Sequence, residues 1–504
     1  MTDLLQLVES LSAGYLLHQT LVIVMLHTVG LLFVSACDRS LAFKRLRAVL
    51  AYPAGLALFA VTSFLMLCLG ITFNTYSVSA VLTAAAIASG VCLIRRGKEV
   101  DITIIRREVF TGIVSIIAVT VIGIMLTSNP LHMALDNDSL YYFSAYPNAI
   151  VREGRYIRYF DVFLTDAAPI GSIIQTLPYL YSFSETFAIQ YMTDLCFLLI
   201  FASALYFELY DALGDRGSLI ASLAATAFLL TSSAYLTTAK WVMAGVYFMS
   251  FFFITAYTAY YSGKKSAGSK PWLLLTVLAV MTSMLRQEGV VLTLLLVLTL
   301  SVLKEYKGKE LTLIFLVPMM AAALLYYIRV FLILGVRPLY SFLTPMKACV
   351  ITLMTASGIV YCLFIRDKVR KREAVLIALP VLMVLADIVF FFMKPSEFLG
   401  DMKMFYLNIR IGAGWGYFGY IAFAVFVILV IKAVIRREKV FLISDSLYIS
   451  YVLAVLVVSL GRGDALRKGV GDSGNRVMLT AVPLIVFGMT LRFFLPKGER
   501  DEDK

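Results

Sequence analysis

Apolar runs of about twenty residues recur along almost the whole chain and constrain its fold more than any other feature. A helix needs roughly 20 apolar residues to cross the hydrocarbon core of a bilayer, and only a helix or a closed barrel satisfies its own backbone there. Such runs occur at 16–36, 49–70, 77–94, 109–128, 187–207, 218–238, 242–261, 271–286, 289–303, 311–332, 345–365, 374–392, 415–434, 441–460 and 477–494. The sequence therefore predicts an all-α, polytopic transmembrane helical bundle of about 13–15 helices.

The composition agrees with a membrane protein and excludes several other classes. Hydrophobic residues make up 61% of the 504 residues and charged residues 15%, whereas about a quarter of an ordinary soluble domain is charged. The net charge of +12 would suggest nucleic acid in a soluble chain, but here it indicates cytoplasmic loops, so no nucleic-acid partner is expected. The six cysteines show no metal-binding spacing and only three histidines are present, so a multi-histidine metal site is not expected.

The distribution of lysine and arginine predicts the orientation. Basic loops such as 94–107 and 366–373 fall on one side if the helices simply alternate, and that side is then cytoplasmic. The polar loops fall on the opposite side, and the largest is 129–186. The sequence thus predicts a multi-pass protein of the cell (inner or plasma) membrane with its site on the extracytoplasmic face. Three parts are predicted: an N-terminal three-helix segment at 1–108, a second transmembrane module at 109–494 and a charged cytoplasmic tail at 495–504.

Two acids open the large loop and are the first candidates for chemistry. Asp136 and Asp138 follow the fourth predicted helix, where the apolar phase raises the proton affinity of a carboxylate while water remains within reach. A carboxylate in this position suits a general base, and the two together would also hold a divalent metal if both were ligands. No other cofactor is predicted. Helical spacing predicts a helix over 139–152 and a second short amphipathic element over 170–182, in the interface plane.

Cations on the predicted external side form the second candidate group. Arginine and lysine near the membrane surface can hold an anionic phosphate, and four candidates are predicted to do so: Arg286, Lys240, Arg410 and Arg476. Arg286 and Lys240 lie between apolar runs with almost no loop, and charges at such depth are retained for pairing or function. In the alternative, purely structural interpretation, Arg286 forms an ion pair with Glu288 and the Lys240 side chain extends to the lipid headgroups. Residues predicted to contact substrates are Tyr141, Tyr142, Arg155, Arg158 and Glu288.

The loop also resembles a known family. The segment DSLYYFSAYPNAIVREG, after LHMALDN, resembles the first external loop of the glycosyltransferase C (GT-C) superfamily, which includes protein mannosyltransferases and aminoarabinose transferases. Asp138, Tyr142 and Gly154 match the family's layout of an acid, a tyrosine and a helix that ends near a glycine. The later PIG (169–171) and SGNRVMLTAVPLIVF (473–487) are similar to further family segments, so the resemblance covers roughly 109–494.

The resemblance implies an integral membrane glycosyltransferase. Such an enzyme takes a sugar from a polyprenyl-phosphate donor and transfers it, with inversion at the anomeric carbon, to a glycan, lipid or protein acceptor of the cell envelope. In this reading either Asp138 or Asp136 is the base, and the four cations are candidates for holding the phosphate. Two alternatives remain open: an envelope polysaccharide polymerase or ligase, and a lipid-linked-glycan transporter (flippase) without chemistry.

Overall fold

The computed structural model describes most of the predicted helices. The described residues are 13–38, 46–95, 141–157, 164–165, 169–181, 187–232, 235, 244–265, 270–336, 343–369, 372, 374–410, 415–435, 443–462 and 478–494. Every regular element in these ranges is helical, which confirms the predicted all-α bundle. The predicted helix at 109–128 lies outside the described residues.

The first half of the chain contributes long helices at both ends and short ones between them. The N-terminal helices are α1 (Ala13–Cys37), α2 (Arg47–Leu69) and α3 (Thr75–Arg95). The short elements are a π-helix (Tyr141–Ala145) and the helices α4 (Tyr146–Glu153), α5 (Pro169–Ile174) and α6 (Leu177–Leu180). They are followed by α7 (Phe187–Leu230), α8 (Ala244–Lys265), α9 (Trp272–Met284) and α10 (Gly289–Leu300).

The second half consists of longer helices, two of which contain π-helical turns. One is α11 (Gly308–Leu311), which continues through a π-helix (Thr312–Leu316) into α12 (Val317–Tyr327) and a further π-helix (Ile328–Ile333). Another is α13 (Pro345–Val360), which continues through a π-helix (Tyr361–Ile365) and a 3₁₀ turn (Arg366–Lys368). The remaining helices are α14 (Ala374–Met393), α15 (Pro395–Arg410), α16 (Gly416–Ile435), α17 (Ile443–Arg462) and α18 (Ala481–Phe494).

Six described segments are long and apolar enough to cross a membrane. They are Arg47–Leu69, Thr75–Arg95, Met192–Leu230, Gly308–Ile333, Pro345–Lys368 and Ala374–Met393. Several have large apolar side chains exposed to their surroundings, among them Ile94, Leu353 and Phe392. In a membrane protein such surfaces face lipid tails, which are as apolar as leucine. The chain is therefore a multi-pass membrane protein.

Two glycines allow the first two helices to cross in backbone contact. A Cβ atom on Gly30 of α1 would lie 1.8 Å from the carbonyl oxygen of Ala51, and one on Gly55 of α2 would lie 1.9 Å from that of Leu26. Small residues at a crossing let two transmembrane helices approach closely and gain van der Waals contact. Helix α2 also packs against α5, α7 and α9, so the N-terminal helices join the rest of the bundle.

A hairpin of two short helices occupies the middle of the bundle. Nearly every residue of α9 and α10 is buried, and the pair packs against α2, α8, α12, α13 and α17. The helices have 13 and 12 residues, or about 20 and 18 Å at 1.5 Å per residue. A bilayer core is about 30 Å thick. The turn between these helices therefore lies within the depth of the bundle.

A buried arginine closes the far end of this hairpin. The Arg366 side chain is 1% exposed, and its Nε donates a hydrogen bond to the carbonyl oxygen of Ser301 at 2.8 Å. Its Nη2 donates to the carbonyl oxygen of Leu303, and its Nη1 pairs with Asp367. The last carbonyls of a helix have no partner within the helix, so Arg366 caps the end of α10.

The structure corrects two details of the predicted arrangement and confirms a third. The predicted loop 393–414 contains α15, whose Phe398 packs on Phe390 with ring centroids 5.5 Å apart. The predicted helices 187–207 and 218–238 are confirmed as the two segments of α7, which are separated by a kink at Gly214, with φ of 67°, and the second segment ends at Leu230. The element predicted to lie in the interface plane at 170–182 is divided into α5 and α6, and all six residues of α5 are buried.

Candidate functional site

The predicted site residues divide into those inside and outside the described ranges. Outside them lie Asp136, Asp138, Arg158, Lys240 and Arg476. Inside them, Tyr141 begins the π-helix, Tyr142 is half-buried, and Arg155 is exposed shortly after α4. Arg410 is exposed at the end of α15. The two remaining candidates, Arg286 and Glu288, share the turn of the central hairpin and give the site its best-defined part.

The turn is tight because a glycine begins the second helix. A Cβ atom on Gly289 would lie 2.5 Å from the carbonyl oxygen of Ser283 and 3.0 Å from that of Thr282. Only glycine lets α10 start this close to the end of α9. The backbone amide of Gly289 also donates to the carbonyl oxygen of Arg286 at 2.9 Å. The polar sequence Arg286-Gln287-Glu288 is thereby held between two apolar helices.

The two charges of the turn form an ion pair. Arg286 Nε donates to Glu288 Oε1 at 2.7 Å, and the two side chains are 13% and 4% exposed. The pairing agrees with the structural alternative considered for Arg286. Burial of an ion pair costs solvation free energy, but the position of Glu288 at the start of α10 is favourable for an acid. The pair neutralises the turn while leaving part of the guanidinium accessible.

Tyrosines from distant parts of the chain surround this turn. Tyr451 of α17 is fully buried and lies within electrostatic range of both Arg286 and Glu288. Tyr451 lies eleven positions before Arg462, the last residue of α17, or about 16 Å along the helix, which agrees with a turn lying deep in the bundle. Gln287 is within hydrogen-bonding reach of Tyr326 on α12. Phenol groups of this kind can hydrogen bond a substrate without adding charge.

Tyr326 connects the turn to the part of the large loop that follows the two acids. Its hydroxyl donates to the carbonyl oxygen of Leu164, and its ring lies 6.2 Å, edge-on, from that of Tyr156. The next residue, Thr165, accepts a hydrogen bond from the amide of Leu343 at 3.0 Å. The structure thus brings Tyr156, Leu164 and Thr165, which follow Asp138 by about 20 to 30 positions, against the helices that surround the Arg286 turn.

The helix after the acids ends at a glycine. Helix α4 ends at Glu153 and is followed by Gly154, whose φ is 65°, a conformation that favours glycine. The carbonyl oxygen of Gly154 accepts a hydrogen bond from the amide of Phe73 at 2.9 Å. The helix predicted over 139–152 is thus confirmed in its described part. The hydrogen bond between Phe73 and Gly154 joins the end of this helix to the α2–α3 connection.

A second guanidinium lies beside Tyr156 and Tyr326. Arg329 follows Tyr326 by three positions, so both face the same side of their helix. Its Nη1 lies against Gly70, whose φ is 74° and whose added Cβ would be 3.4 Å away. Arg329 also interacts electrostatically with Tyr156. Burial raises the pKa of the Tyr156 phenol well above its usual range, so this group is a neutral donor at physiological pH.

No protein-family model, curated protein or solved structure matches this chain. The residues of the site are therefore what indicates which ligands it can bind and which reactions it can support. A partly accessible guanidinium in a buried turn, with phenol groups beside it, can bind and orient an anionic group. Among the described residues, no cluster of three or more His, Cys, Asp or Glu side chains could hold a metal ion.

Sequence reasoning counted Arg329 only as one of many external cations, without singling it out, and missed the surrounding tyrosines. The signal for Arg329 was its charge at the end of an apolar run, which it shares with many arginines of this chain. Tyr156, Tyr326 and Tyr451 carry no such signal, since 28 tyrosines are present. Their contacts join positions more than a hundred residues apart, and no local pattern records such contacts.

Proposed function

We propose that the protein is an integral membrane glycosyltransferase that moves a sugar from a polyprenyl-phosphate donor to a glycan, lipid or protein acceptor of the cell envelope. The proposal places the reaction on the extracytoplasmic face and the lipid phosphate at the buried turn. One observation carries it: Arg286, a partly accessible guanidinium, is held inside an apolar bundle by a single carboxylate. Charged residues at membrane depth are expensive and mark substrate sites.

In the proposed reaction an acceptor hydroxyl attacks the anomeric carbon of the donor sugar. The new carbon–oxygen bond forms while the bond to the phosphate oxygen breaks, and that oxygen leaves with the electron pair. Asp138 or Asp136 takes the hydroxyl proton. Arg286, oriented by Glu288, stabilises the charge that develops on the leaving phosphate. A single displacement of this kind inverts the anomeric centre and requires no covalent enzyme intermediate.

The segment after the acids supports this division of roles. Tyr156 and Leu164 contact Tyr326, which reaches Gln287 of the turn. The proposal therefore requires the two acids of the large loop and the Arg286 turn to act on one substrate. The exposed Arg410, at the end of α15, has no described contact with this network, and we assign Arg286 the principal role in holding the phosphate.

The test is transfer by the purified protein in lipid, with radiolabelled polyprenyl-phosphate sugars and extracted envelope acceptors. We expect Arg286→Gln to lower the transfer rate by about 100-fold or more, as removal of one charge-stabilising donor commonly does. The matched control is Arg216→Gln, which makes the same change at an exposed position of α7 and should transfer normally.

The two acids are tested in the same assay. Loss of transfer in either Asp138→Asn or Asp136→Asn, with donor binding retained, would identify the base. Normal transfer by both variants would show that the acid loop does not perform catalysis. If the wild-type protein releases no polyprenyl phosphate from any donor, the glycosyltransferase proposal is wrong and the ligase and transporter readings replace it.

A further inference from the structure

A second polar group lies in the bundle apart from the Arg286 turn. It combines Gln175, which directly follows α5, with Asp194 of α7, Tyr235, and Tyr247 of α8, all of them buried. Gln175 Nε2 donates to the Tyr247 hydroxyl at 3.2 Å. Asp194 interacts electrostatically with both Tyr235 and Tyr247. We call these four residues the Asp194 cluster.

The cluster does not satisfy its own hydrogen-bonding groups. Asp194 and Tyr235 lie within hydrogen-bonding reach of each other, but Asp194 Oδ1, Gln175 Oε1 and the Tyr235 hydroxyl are buried without a hydrogen bond of good geometry to the described protein. Buried polar atoms in native proteins nearly always have a partner, and each exception requires an explanation. Asp194 lies within an apolar helix, and none of the ion pairs in the described part of the chain includes it. Three unsatisfied atoms from three segments therefore converge on one place.

The cluster lies level with the Arg286 turn on the neighbouring helix. Thr255 of α8 donates to the carbonyl oxygen of Leu278, and Thr282 of α9 donates to that of Phe251, at 3.3 and 3.2 Å. The residue numbers fall along α8 as they rise along α9, so the helices are antiparallel. Tyr247 lies four residues before Phe251, and Arg286 lies four residues after Thr282. The two residues are therefore at about the same level of the bundle. Packed helices have axes about 8–10 Å apart, a separation comparable to the length of a sugar phosphate.

The chemistry of the cluster selects the kind of ligand. A carboxylate without a cationic partner repels phosphate, but it accepts hydrogen bonds from hydroxyl groups. The Gln175 carbonyl oxygen and the Tyr235 hydroxyl extend this pattern, and the tyrosine rings offer apolar faces. We propose that the Asp194 cluster is the subsite for the neutral, polyhydroxyl sugar of the lipid-linked donor. This inference rests on the proposed function. It places the sugar at the Asp194 cluster and the phosphate at Arg286.

The test compares two ligands that differ only in the sugar. Equilibrium binding to the full-length protein in nanodiscs is measured with a bare polyprenyl phosphate and with a panel of polyprenyl-phosphate monosaccharides. We expect Asp194→Leu and Tyr235→Phe to weaken the preferred sugar-bearing lipid by about tenfold or more, since a buried sugar hydroxyl that loses its partner is left unsatisfied at the full cost of its desolvation. Binding of the bare lipid phosphate should not change. Arg286→Gln should weaken both ligands.

Two further measurements distinguish a ligand site from a structural role. Because the buried Asp194 Oδ1 has no hydrogen bond of good geometry in the described protein, replacement of Asp194 by leucine should leave the thermal midpoint unchanged or raised; a structural role predicts a lowered midpoint. The matched control is Asp387→Leu, which removes another buried carboxylate, in α14, whose two oxygens also lack a described partner. It should bind both ligands as the wild type does.

The outcomes separate the subsite from the function. If Asp194→Leu weakens both ligands equally, weakens neither, or only lowers the thermal midpoint, the sugar subsite is wrong while the glycosyltransferase proposal stands. If Asp387→Leu loses the sugar-bearing lipid to the same extent, the effect is not specific to this cluster and the subsite is again wrong. If the wild-type protein binds neither lipid, the proposed function is wrong and the subsite is rejected with it.

Discussion

Replacement of Arg366 by methionine should destabilise the protein more than any comparable change of a surface arginine. Methionine is long and apolar but donates no hydrogen bond, so the Ser301 carbonyl oxygen loses its Arg366 donor and the Leu303 carbonyl oxygen keeps only the Tyr306 amide, at 3.4 Å. Hydrogen bonds from a charged donor contribute about 1.5–3 kcal/mol each. The Arg366 side chain is 1% exposed, so water does not replace the lost bonds. We expect the free energy of unfolding to fall by about 3–6 kcal/mol.

The matched control for this prediction is Arg372→Met. Arg372 pairs with the same carboxylate, Asp367, at 3.6 Å, but its side chain is 27% exposed and Asp367 is half-exposed. Ion pairs of this kind contribute about 0–1 kcal/mol, so the control should unfold nearly as the wild type does. Both variants are measured by circular dichroism in micelles of rising sodium dodecyl sulfate fraction. Equal losses in the two variants, or a loss below about 1 kcal/mol for Arg366→Met, would refute the capping argument.

Two other contacts give predictions with internal controls. Gly30→Leu should lower the thermal midpoint and the yield of folded protein, because its Cβ would lie 1.8 Å from the Ala51 oxygen. Gly90→Leu, with no atom within 4 Å of its added Cβ, should be tolerated, and equal behaviour of the two variants would contradict the close crossing. Tyr326→Phe should speed deuterium uptake around 164–181, since the Leu164 carbonyl loses its buried donor at a cost of about 1–3 kcal/mol. Tyr327→Phe should not, and unchanged exchange in both variants would show that this bond does not hold the segment.

Hydropathy located most helices because the bilayer imposes their length whatever their neighbours are. The predicted run 49–70 corresponds to α2 at Arg47–Leu69, and 374–392 corresponds to α14 at Ala374–Met393. Helix α15 escaped this reasoning, since its mixed composition resembles a loop. It is stabilised by packing that only the fold creates, such as Phe398 on Phe390.

The candidate site was predictable only where charge met an apolar run. Arg286 and Glu288 interrupt two such runs, and the structure places them in one turn. Tyr326 and Tyr451 were not predictable, because a buried tyrosine and a lipid-facing tyrosine are identical in a hydropathy profile. Asp194 is visible in the sequence as an acid within an apolar run, but its neighbours Gln175, Tyr235 and Tyr247 come from three other segments. Such convergence is a property of helix packing, which one sequence does not encode locally.

The short central hairpin also has a consequence for how the chain enters the membrane. The insertion machinery recognises a segment by its hydrophobic length, and a stable span needs about 20 residues. Helices α9 and α10, with 13 and 12 residues, fall short of this, and a charged turn separates them. We expect the two to partition into the bilayer together, as one unit, when α8 and α12 are present to cover them. Ribosome-bound chains that end within α9 should therefore leave this helix accessible to water-soluble labels.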